Sequence, residues 1–510
     1  MGSSRDDQTQ RRYEAGPTTI FPALLDIDGI SAIDQLVDME LVGVYFDTPN
    51  LDLARRSIHI CRVAGGDDTG WHLEFPAGED TRSEVRLPLG RAKRKVPARL
   101  LAPVKAVVLD RPLTPVAQVT TRRLTYQLVG ADAAVFAQVR DHEVHTDRTV
   151  GPAHVEDWRE WEVTLVDGTK HLLDSIEQVL LAAGASPLNA PTTLNRALGD
   201  LAPSDQKKPS RKQLSCGSAA QLVLAHLAEH TEQLRKQDAR LRADRPDSVH
   251  KLRIAARRLR GALKTYRPLL ASDSADTVGE ELRWLGQVLS KARDAQVMRE
   301  RLHLLVASQP PELILGPVAR RIDGDLLASF RTGRKEALEA LNSQRYFRLL
   351  DALDDLVQSP PLTRESETHV EDLIPRLLQR EANRLRRITR KLARADSPEQ
   401  RDLALHEIRK MAKRLRYASE SAIPVFPSRA KKLALSAKRI QEALGQHQDA
   451  VIARDKLRQY AVQTHDRGEN AFTFGRLHAL EEARATDAER TFEAALRKLP
   501  PKKLRRWIRM

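Results

Sequence analysis

Two stretches of this chain carry the same helical pattern of positive charge. Val249–Leu263 reads VHKLRIAARRLRGAL and Leu405–Ser419 reads LHEIRKMAKRLRYAS. At an offset of 156, His250/His406, Arg253/Arg409, Ala256/Ala412, Arg258/Arg414, Leu259/Leu415, Arg260/Arg416 and Ala262/Ala418 are identical, and Arg257/Lys413 is conservative. A second pair follows at an offset of 155. Leu289–Val297 (LSKARDAQV) and Leu444–Ile452 (LGQHQDAVI) share Leu289/Leu444, Asp294/Asp449 and Ala295/Ala450, with Arg283/Lys438 in equal places before them. Self-similarity over this distance predicts two copies of one helical unit of roughly 150 residues.

The repeated segment has a simple physical logic. At about 100° per residue, His250, Arg253, Arg257, Arg260 and Lys264 form one stripe, with Leu252, Ala256, Leu259 and Leu263 opposite. His406, Arg409, Lys413 and Arg416 repeat the stripe opposite Ile408, Ala412 and Leu415. A stripe of cations is usually a solvated face. Such faces normally alternate Glu with Lys for i,i+4 support, but here the stripes contain no acid, are dominated by arginine and occur twice in register. The planar guanidinium fork suits phosphate-like oxygens. A polyanion that neutralises both stripes accounts for all three features.

Charge is divided along the chain. Residues 1–200 contain 22 Lys+Arg and 29 Asp+Glu; subtraction from 84 and 69 leaves 62 basic and 40 acidic residues in 201–510. An acidic part is joined to a strongly basic one, whose field draws polyanions. The acidic part shows short alternating segments: Leu41–Asp47, Ile58–Val63, Trp71–Phe75, Glu84–Leu87, Arg122–Leu128, Val135–Val139 and Arg159–Leu165, with helices near Ala98–Ala106 and Leu172–Ala183. Many short strands with period-2 patterning predict a sheet closed or nearly closed into a barrel. Residues 201–213 read as a polar linker. Helical patterns then run over 214–500, with copies at about 214–355 and 368–500, and a basic tail over 501–510. Breaks are predicted at the prolines 246, 268, 310–311, 360–361, 398, 424 and 427. The expected fold is multidomain α+β: an N-terminal antiparallel β-barrel over 1–200, then an all-α domain.

Other signals narrow the function. No apolar run approaches the ~20 residues that span a bilayer, and the polar N-terminus lacks an apolar signal core. Two cysteines, Cys61 and Cys216, make no disulfide framework, which fits a reducing cytoplasm. Aromatics are 4% of residues and do not interleave the basic helices. That disfavours single-stranded nucleic acid, where stacking carries binding, and leaves only nonspecific nucleic-acid contact. His142 and His145 are three apart and are not the zinc pair of a metalloprotease.

The duplicated His-x-x-Arg-x-x-x-Arg/Lys-Arg-Leu-Arg helices, each followed by Leu-x-x-x-Arg/Gln-Asp-Ala, resemble the CHAD domain (conserved histidine α-helical domain) over about residues 214–500. The resemblance implies two pseudo-symmetric four-helix bundles with a basic surface between them. It also implies binding of inorganic polyphosphate and, in bacteria, association with polyphosphate granules and their proteins. The family's basic residues map onto His250, Arg253, Arg257, Arg260, Lys264 and Arg283, then His406, Arg409, Lys413, Arg416 and Lys438, with Lys291 and Lys410 in the same segments. Ser290 against Gly445 and Arg293 against Gln448 predict local asymmetry between the copies.

The first 200 residues resemble the CYTH domain, the triphosphate-tunnel barrel, in Tyr45-Phe46-Asp47-Thr48-Pro49, Leu53-Ala54-Arg55-Arg56, Gly65–Leu73 and Trp158–Val163. Active members hold Mg2+ or Mn2+ on inward carboxylates and a triphosphate on Lys and Arg, so a metal-dependent triphosphatase is the alternative function. The family's opening Glu-x-Glu-x-Lys stands here as Gln8-x-Gln10-x-Arg12. His59, Cys61 and Val63 replace inward arginines, Glu74 replaces a lysine, and Thr192-Thr193 stands for Ser-Lys. Arg82, Glu84, Arg86, Asp141, Glu160 and Glu162 remain. Amides are poor ligands for hard cations beside carboxylates, so this reading leans away from an enzyme. No catalytic residue, metal ligand or cofactor is assigned; Glu84, Glu160 and Glu162 are the residual catalytic candidates, as a cation site or a salt-bridged strand face.

Overall fold

A computed structural model describes residues 10–36, 38–66, 68–76, 84–90, 95–188, 192–203, 209–271, 273–392, 394–498 and 507. Gln8 and Arg82 lie outside the described residues. The chain divides into two units, Met1–Gln206 and Lys207–Met510.

In the first unit the alternating segments become strands β1 (Gln10–Ala15), β2 (Ala32–Gln35), β3 (Met39–Asp47), β4 (His59–Ala64), β5 (Gly70–Glu74), β6 (Glu84–Leu87), β7 (Thr114–Val129), β8 (Val135–Arg148), β9 (Val155–Leu165) and β10 (Ser186–Pro187). Helices α1 (Ala98–Val108), α2 (Lys170–Ala182) and α3 (Thr193–Leu198) accompany them. Among the described residues the strands form one antiparallel sheet of order β10-β1-β9-β8-β7-β3-β4-β5-β6, with β2 on β7. The sheet is open, which corrects the expected barrel. Closure needs its two outer strands to meet, and the described β6 and β10, four and two residues long, pair only inward.

Alternation assigns the two faces. Tyr13, Val139, Trp161 and Val163 pack on Leu172, Leu173, Ile176 and Leu180 of α2. Ile60, Trp71 and Leu73 pack on Leu100, Val104 and Val107 of α1. The opposite face collects charged groups and is covered at one end by Leu194, Ala197 and Leu198 of α3 against Trp158 and Val119. Thr192 caps α3, its hydroxyl accepting from Asn195 N at 3.3 Å. The β4–β5 turn needs Gly65 (φ +99°), where a Cβ would lie 2.2 Å from the Glu40 carbonyl oxygen.

The second unit is helical: α4 (Arg211–Ser215), α5 (Ala219–Arg242), α6 (Ser248–Thr265), α7 (Asp273–Val288), α8 (Ser290–Ala307), α9 (Val318–Leu341), α10 (Gln344–Gln358), α11 (Val370–Leu392), α12 (Pro398–Ser421), α13 (Pro427–Asp466) and α14 (Phe472–Arg497). Each predicted proline break falls between helices or in a first turn, where proline's missing N–H costs nothing. The duplication is visible element by element. Helices α5, α6 and α9 correspond to α11, α12 and α14, and α7 plus α8 correspond to the single 40-residue α13. The interruption at Leu289 sits beside Ser290, whose hydroxyl turns back to the Gln287 carbonyl at 2.8 Å. The second copy has Gly445 there and runs straight through, an asymmetry of the kind the two sequences predict.

The copies join at two places. At one, Met298, Leu302, Leu305 and Ile322 interleave with Ala453, Leu457, Tyr460 and Leu477. Reciprocal ion pairs flank this core: Arg301 of α8 donates to fully buried Glu481 of α14 (Nε–Oε2 3.0 Å), and Lys456 of α13 reaches Asp325 of α9 (2.7 Å). At the other, α6 lies on α12. A Cβ on Gly261 would meet Tyr417 Cδ2 at 3.6 Å, and Tyr266 Oη shares a hydrogen bond with Ser421 Oγ at 2.6 Å.

Arg301→Met leaves the Glu481 carboxylate buried without its main partner, a loss of about 3–5 kcal/mol. The far-UV melting transition of the helical unit is expected to fall in Arg301→Met and to recover most of that loss in Arg301→Met/Glu481→Leu. Equal melting of the single variant and the parent would remove this pair as a fastener between copies.

Candidate functional site

The packing faces behave as their sequence predicts: Leu252, Ala256 and Leu259 on α6, and Ile408, Ala412 and Leu415 on α12, are all fully buried. Because α6 and α12 pack side by side, their opposite faces are brought together. Arg253 and Arg257 of the first copy lie within electrostatic reach of Arg409 and Lys413 of the second. Arg293 of α8 and His250 join the same cluster.

The cluster is short of compensating acids. Asp294 binds Arg253 (Nη1–Oδ1 2.8 Å) from an exposed position. Asp449, its counterpart in the second copy, is part-buried and acts on Arg409 and Lys413 without forming an ion pair with either. Among the described residues Arg257, Arg409 and Lys413 form no ion pair, and the buried Nε atoms of Arg257 and Arg409 have no hydrogen-bond partner. The consequence is electrostatic. Burial, followed by repulsion from Arg409, Arg257 and Arg253, pushes Lys413 down to about 7. Burial and the neighbouring arginines also hold Arg257 and His250 below their ordinary values.

A second group lies further along α6. Arg260 and Lys264 face Arg283 of α7 and Glu280, burial again lowers both, and Arg260 Nε is buried without a partner. Other predicted cations are held by carboxylates: Arg283 by Glu280 (3.3 Å), Lys291 by Glu336 (2.6 Å), Lys410 by Glu407 (2.7 Å), Arg416 by Glu420 (2.7 Å) and Lys438 by Glu442 (3.3 Å). His406 contacts Gln448 (Nδ1–Oε1 3.3 Å). Arg258 and Arg414, identical between the repeats, are fasteners: Arg258 binds Glu420 at 3.0 Å and Arg414 binds Glu381 at 2.7 Å and the Lys264 carbonyl at 2.7 Å.

The family model described as "CHAD domain" matches residues 225–458. Over 513 aligned residues the chain is 37% identical to "Uncharacterized protein Rv2226" of Mycobacterium tuberculosis (strain ATCC 25618 / H37Rv), covering 97% of each chain. Residues 225–458 are a CHAD domain. Among solved structures, PptA from Streptomyces chartreusis aligns at TM-score 0.46 and 23% identity, over 55% of this chain and 100% of that one. The CHAD domain from the plant Ricinus communis aligns at TM-score 0.43 and 23% identity, over 57% and 96%. A putative adenylate cyclase from Bacillus halodurans aligns at TM-score 0.25 and 12% identity, over 38% and 97%.

Within the CHAD domain, Arg293 is the member of the cluster that the stripe argument passes over, because it comes from α8. Its signal is the Leu-x-x-x-Arg-Asp-Ala motif, in which it stands opposite Gln448. No helix among the described residues is long and apolar enough to cross a membrane.

The N-terminal sheet face tells a different story. Cross-strand register places Arg12, Glu162 and Arg140 in one row and Glu160, His142 and Arg123 in another. Glu162 accepts from Arg12 (3.0 Å) and Arg140 (2.6 Å). Glu160 accepts from Trp158 Nε1 (3.1 Å) and faces His142 at 3.7 Å. Glu84 is shared by His72 and Arg86, each at 2.7 Å. Burial alone would raise Glu162, but Arg12, His142 and Arg140 outweigh it and hold it below the usual range. Asp141 does not belong to this face. It points to the α2 side, where Arg159 (2.8 Å) and Trp161 (3.0 Å) hold it. Among the described residues no group of three or more His, Cys, Asp or Glu is arranged to hold a metal ion. With guanidinium groups on its carboxylates, the face does not fit a divalent cation, and no catalytic step is derived from it.

Lys413 supplies a test. Its folded pKa of about 7 lies below the unfolded value near 10.5, so the unfolded chain binds the extra proton between them. Stability therefore rises with pH across that window, and the cost of housing a charged Lys413 is complete below it. Lys413→Met is expected to be more resistant to urea than the parent at pH 6, with the advantage shrinking by pH 9.5. A difference in urea midpoint that does not change with pH would show that Lys413 is not held against repulsion.

Proposed function

We infer that this protein binds inorganic polyphosphate through the cluster between α6 and α12, and through that ligand associates with polyphosphate granules. The observation that carries the reading is the convergence of Arg253, Arg257, Arg293, Arg409 and Lys413 with too few acids to neutralise them. A site built this way is complementary to a multiply charged anion whose oxygens accept from several donors. The approximate twofold relation of Arg253/Arg409 and Arg257/Lys413 supports a ligand without direction. A linear polyphosphate reads the same from both ends, whereas a single nucleic-acid strand does not. Each copy supplies four helical stretches to this arrangement, in the manner of paired four-helix bundles. We read the N-terminal unit as a degenerate CYTH-like domain. The triphosphatase alternative is weaker, because Glu84, Glu160 and Glu162 are committed to Arg, His and Trp partners.

Polyphosphate titrations of the full chain are expected to lose affinity with salt, at a log–log slope of roughly −3.5 for five contacted phosphates. The combined Arg253→Glu, Arg257→Glu, Arg409→Glu and Lys413→Glu variant is expected to lose binding while its far-UV spectrum is retained. Undiminished affinity in that folded variant would remove the cluster as the site.

Binding is also expected to take up protons. At pH 8 most Lys413 side chains are neutral, and a bound polyanion offsets the Arg409, Arg257 and Arg253 charges that keep them so. Calorimetry in buffers of different ionisation enthalpy is expected to report uptake approaching one proton, with affinity strengthening as pH falls from 8 to 6. No uptake at pH 8 would separate Lys413 from the ligand.

A further inference from the structure

The two copies differ beside the cluster. In the second, α12 and α13 form a half-open cavity of about 170 Å³ lined by the exposed Asp402 and by Leu405, His406, Arg409, His447 and Gln448, among others. Arg409 belongs both to this cavity and to the cluster, since it lies close enough to Arg257 and Lys413 to shift them. Its Nε is buried without a partner. His406 and Gln448 hold one another at 3.3 Å, and His447 is held from behind by Glu489 at 3.0 Å. Gly445 lies beside the same guanidinium: a Cβ there would be 3.7 Å from Arg409 Nη2, in ordinary contact. In the first copy His447 and Gln448 are matched by Ala292, fully buried, and Arg293, which turns into the cluster instead.

Charge runs along the cavity in one direction. Arg409 stands at the end shared with the cluster. Asp402 is seven residues earlier on the same helix, about 10 Å along the axis. A polyanion entering past Arg409 therefore meets a carboxylate ahead of it. That carboxylate repels an ionised oxygen, but it accepts a hydrogen bond from a hydroxyl. An internal phosphate of a polyphosphate carries no P–OH, while a terminal phosphate has a second ionisation near neutrality and does. His406, Gln448 and Arg409 offer donors to its remaining oxygens.

We propose that the cavity between α12 and α13 is a subsite for the terminal phosphate of the polyphosphate chain, with Arg409 admitting it and Asp402 stopping it. This rests on the polyphosphate reading. The chain then has one end seated in the second copy and its length laid along the cluster towards the first.

The test uses the full chain with three probes: tripolyphosphate, long polyphosphate with free ends, and long polyphosphate whose two ends are blocked as phosphoramidates. The parent is expected to bind free-ended chains more tightly than blocked chains of equal length. Val451→Phe, which fills the cavity from α13, is expected to weaken tripolyphosphate roughly tenfold, the worth of one charge-assisted hydrogen bond, and to leave blocked chains unchanged. Asp402→Asn gives an independent readout if Val451→Phe does not fold: it removes the stop and is expected to strengthen binding of blocked chains. Equal affinity of the parent for free and blocked ends, or no change in either variant, overturns the subsite while the cluster stands. If the parent binds none of the three probes, the polyphosphate reading itself fails.

Discussion

The helical unit depends on how closely α6 and α12 approach. Gly261 leaves room for the Tyr417 ring, which occupies the equivalent place in the other copy, and Tyr266 reaches Ser421 across the contact. Arg258–Glu420 and the bond from Arg414 to the Lys264 carbonyl fasten it. The remaining cations have no choice of position. Arg257, Arg409 and Lys413 are held beside one another by helices packed for other reasons, and burial, with repulsion from these neighbours, lowers the pKa of Lys413. Packing thus holds a repulsive charge arrangement in place.

The second junction keeps this arrangement rigid. Arg301–Glu481 and Lys456–Asp325 are the same contact made twice, once in each direction, as an isologous interface requires. Chemistry at the two positions has drifted, arginine against lysine and glutamate against aspartate, yet both pairs persist. Some of the differences between the copies lie beside the cluster. The first copy's long helix is interrupted at Leu289, beside Ser290, and Gln448 lines the space near Arg409 in the second.

The two units handle charge in opposite ways. On the sheet face of the first, nearly every carboxylate is met by a guanidinium, an imidazole or an indole N–H across or along the strands. Such a face is locally neutral and has little left to offer an ion of either sign. In the helical unit, acids such as Glu336, Glu407 and Glu442 compensate the outlying cations and leave the central ones bare. Overall basicity therefore says less than the distribution of acids: the functional contrast lies in which cations lack a partner, not in how many there are.

Much of this was legible in the residues because it is local. Period-2 alternation marked β3 to β9, proline marked the helix ends, and the duplicated stripe marked α6 and α12 as one packing face and one charged face each. What escaped depends on partners distant in sequence. Closure of the sheet is decided by whether β6 finds the opposite edge, and no alternation within Glu84–Leu87 reports that. Asp141 lies on the face away from Glu160 and Glu162 because a strand alternates at every residue, and an odd position between Arg140 and His142 must point the other way. The stripes look free of acids in sequence, yet Asp294 reaches Arg253 from a different helix, and Arg293 enters the cluster the same way. A helix face can be read from its own spacing, but whether its charges stay bare is set by the helices that pack beside it.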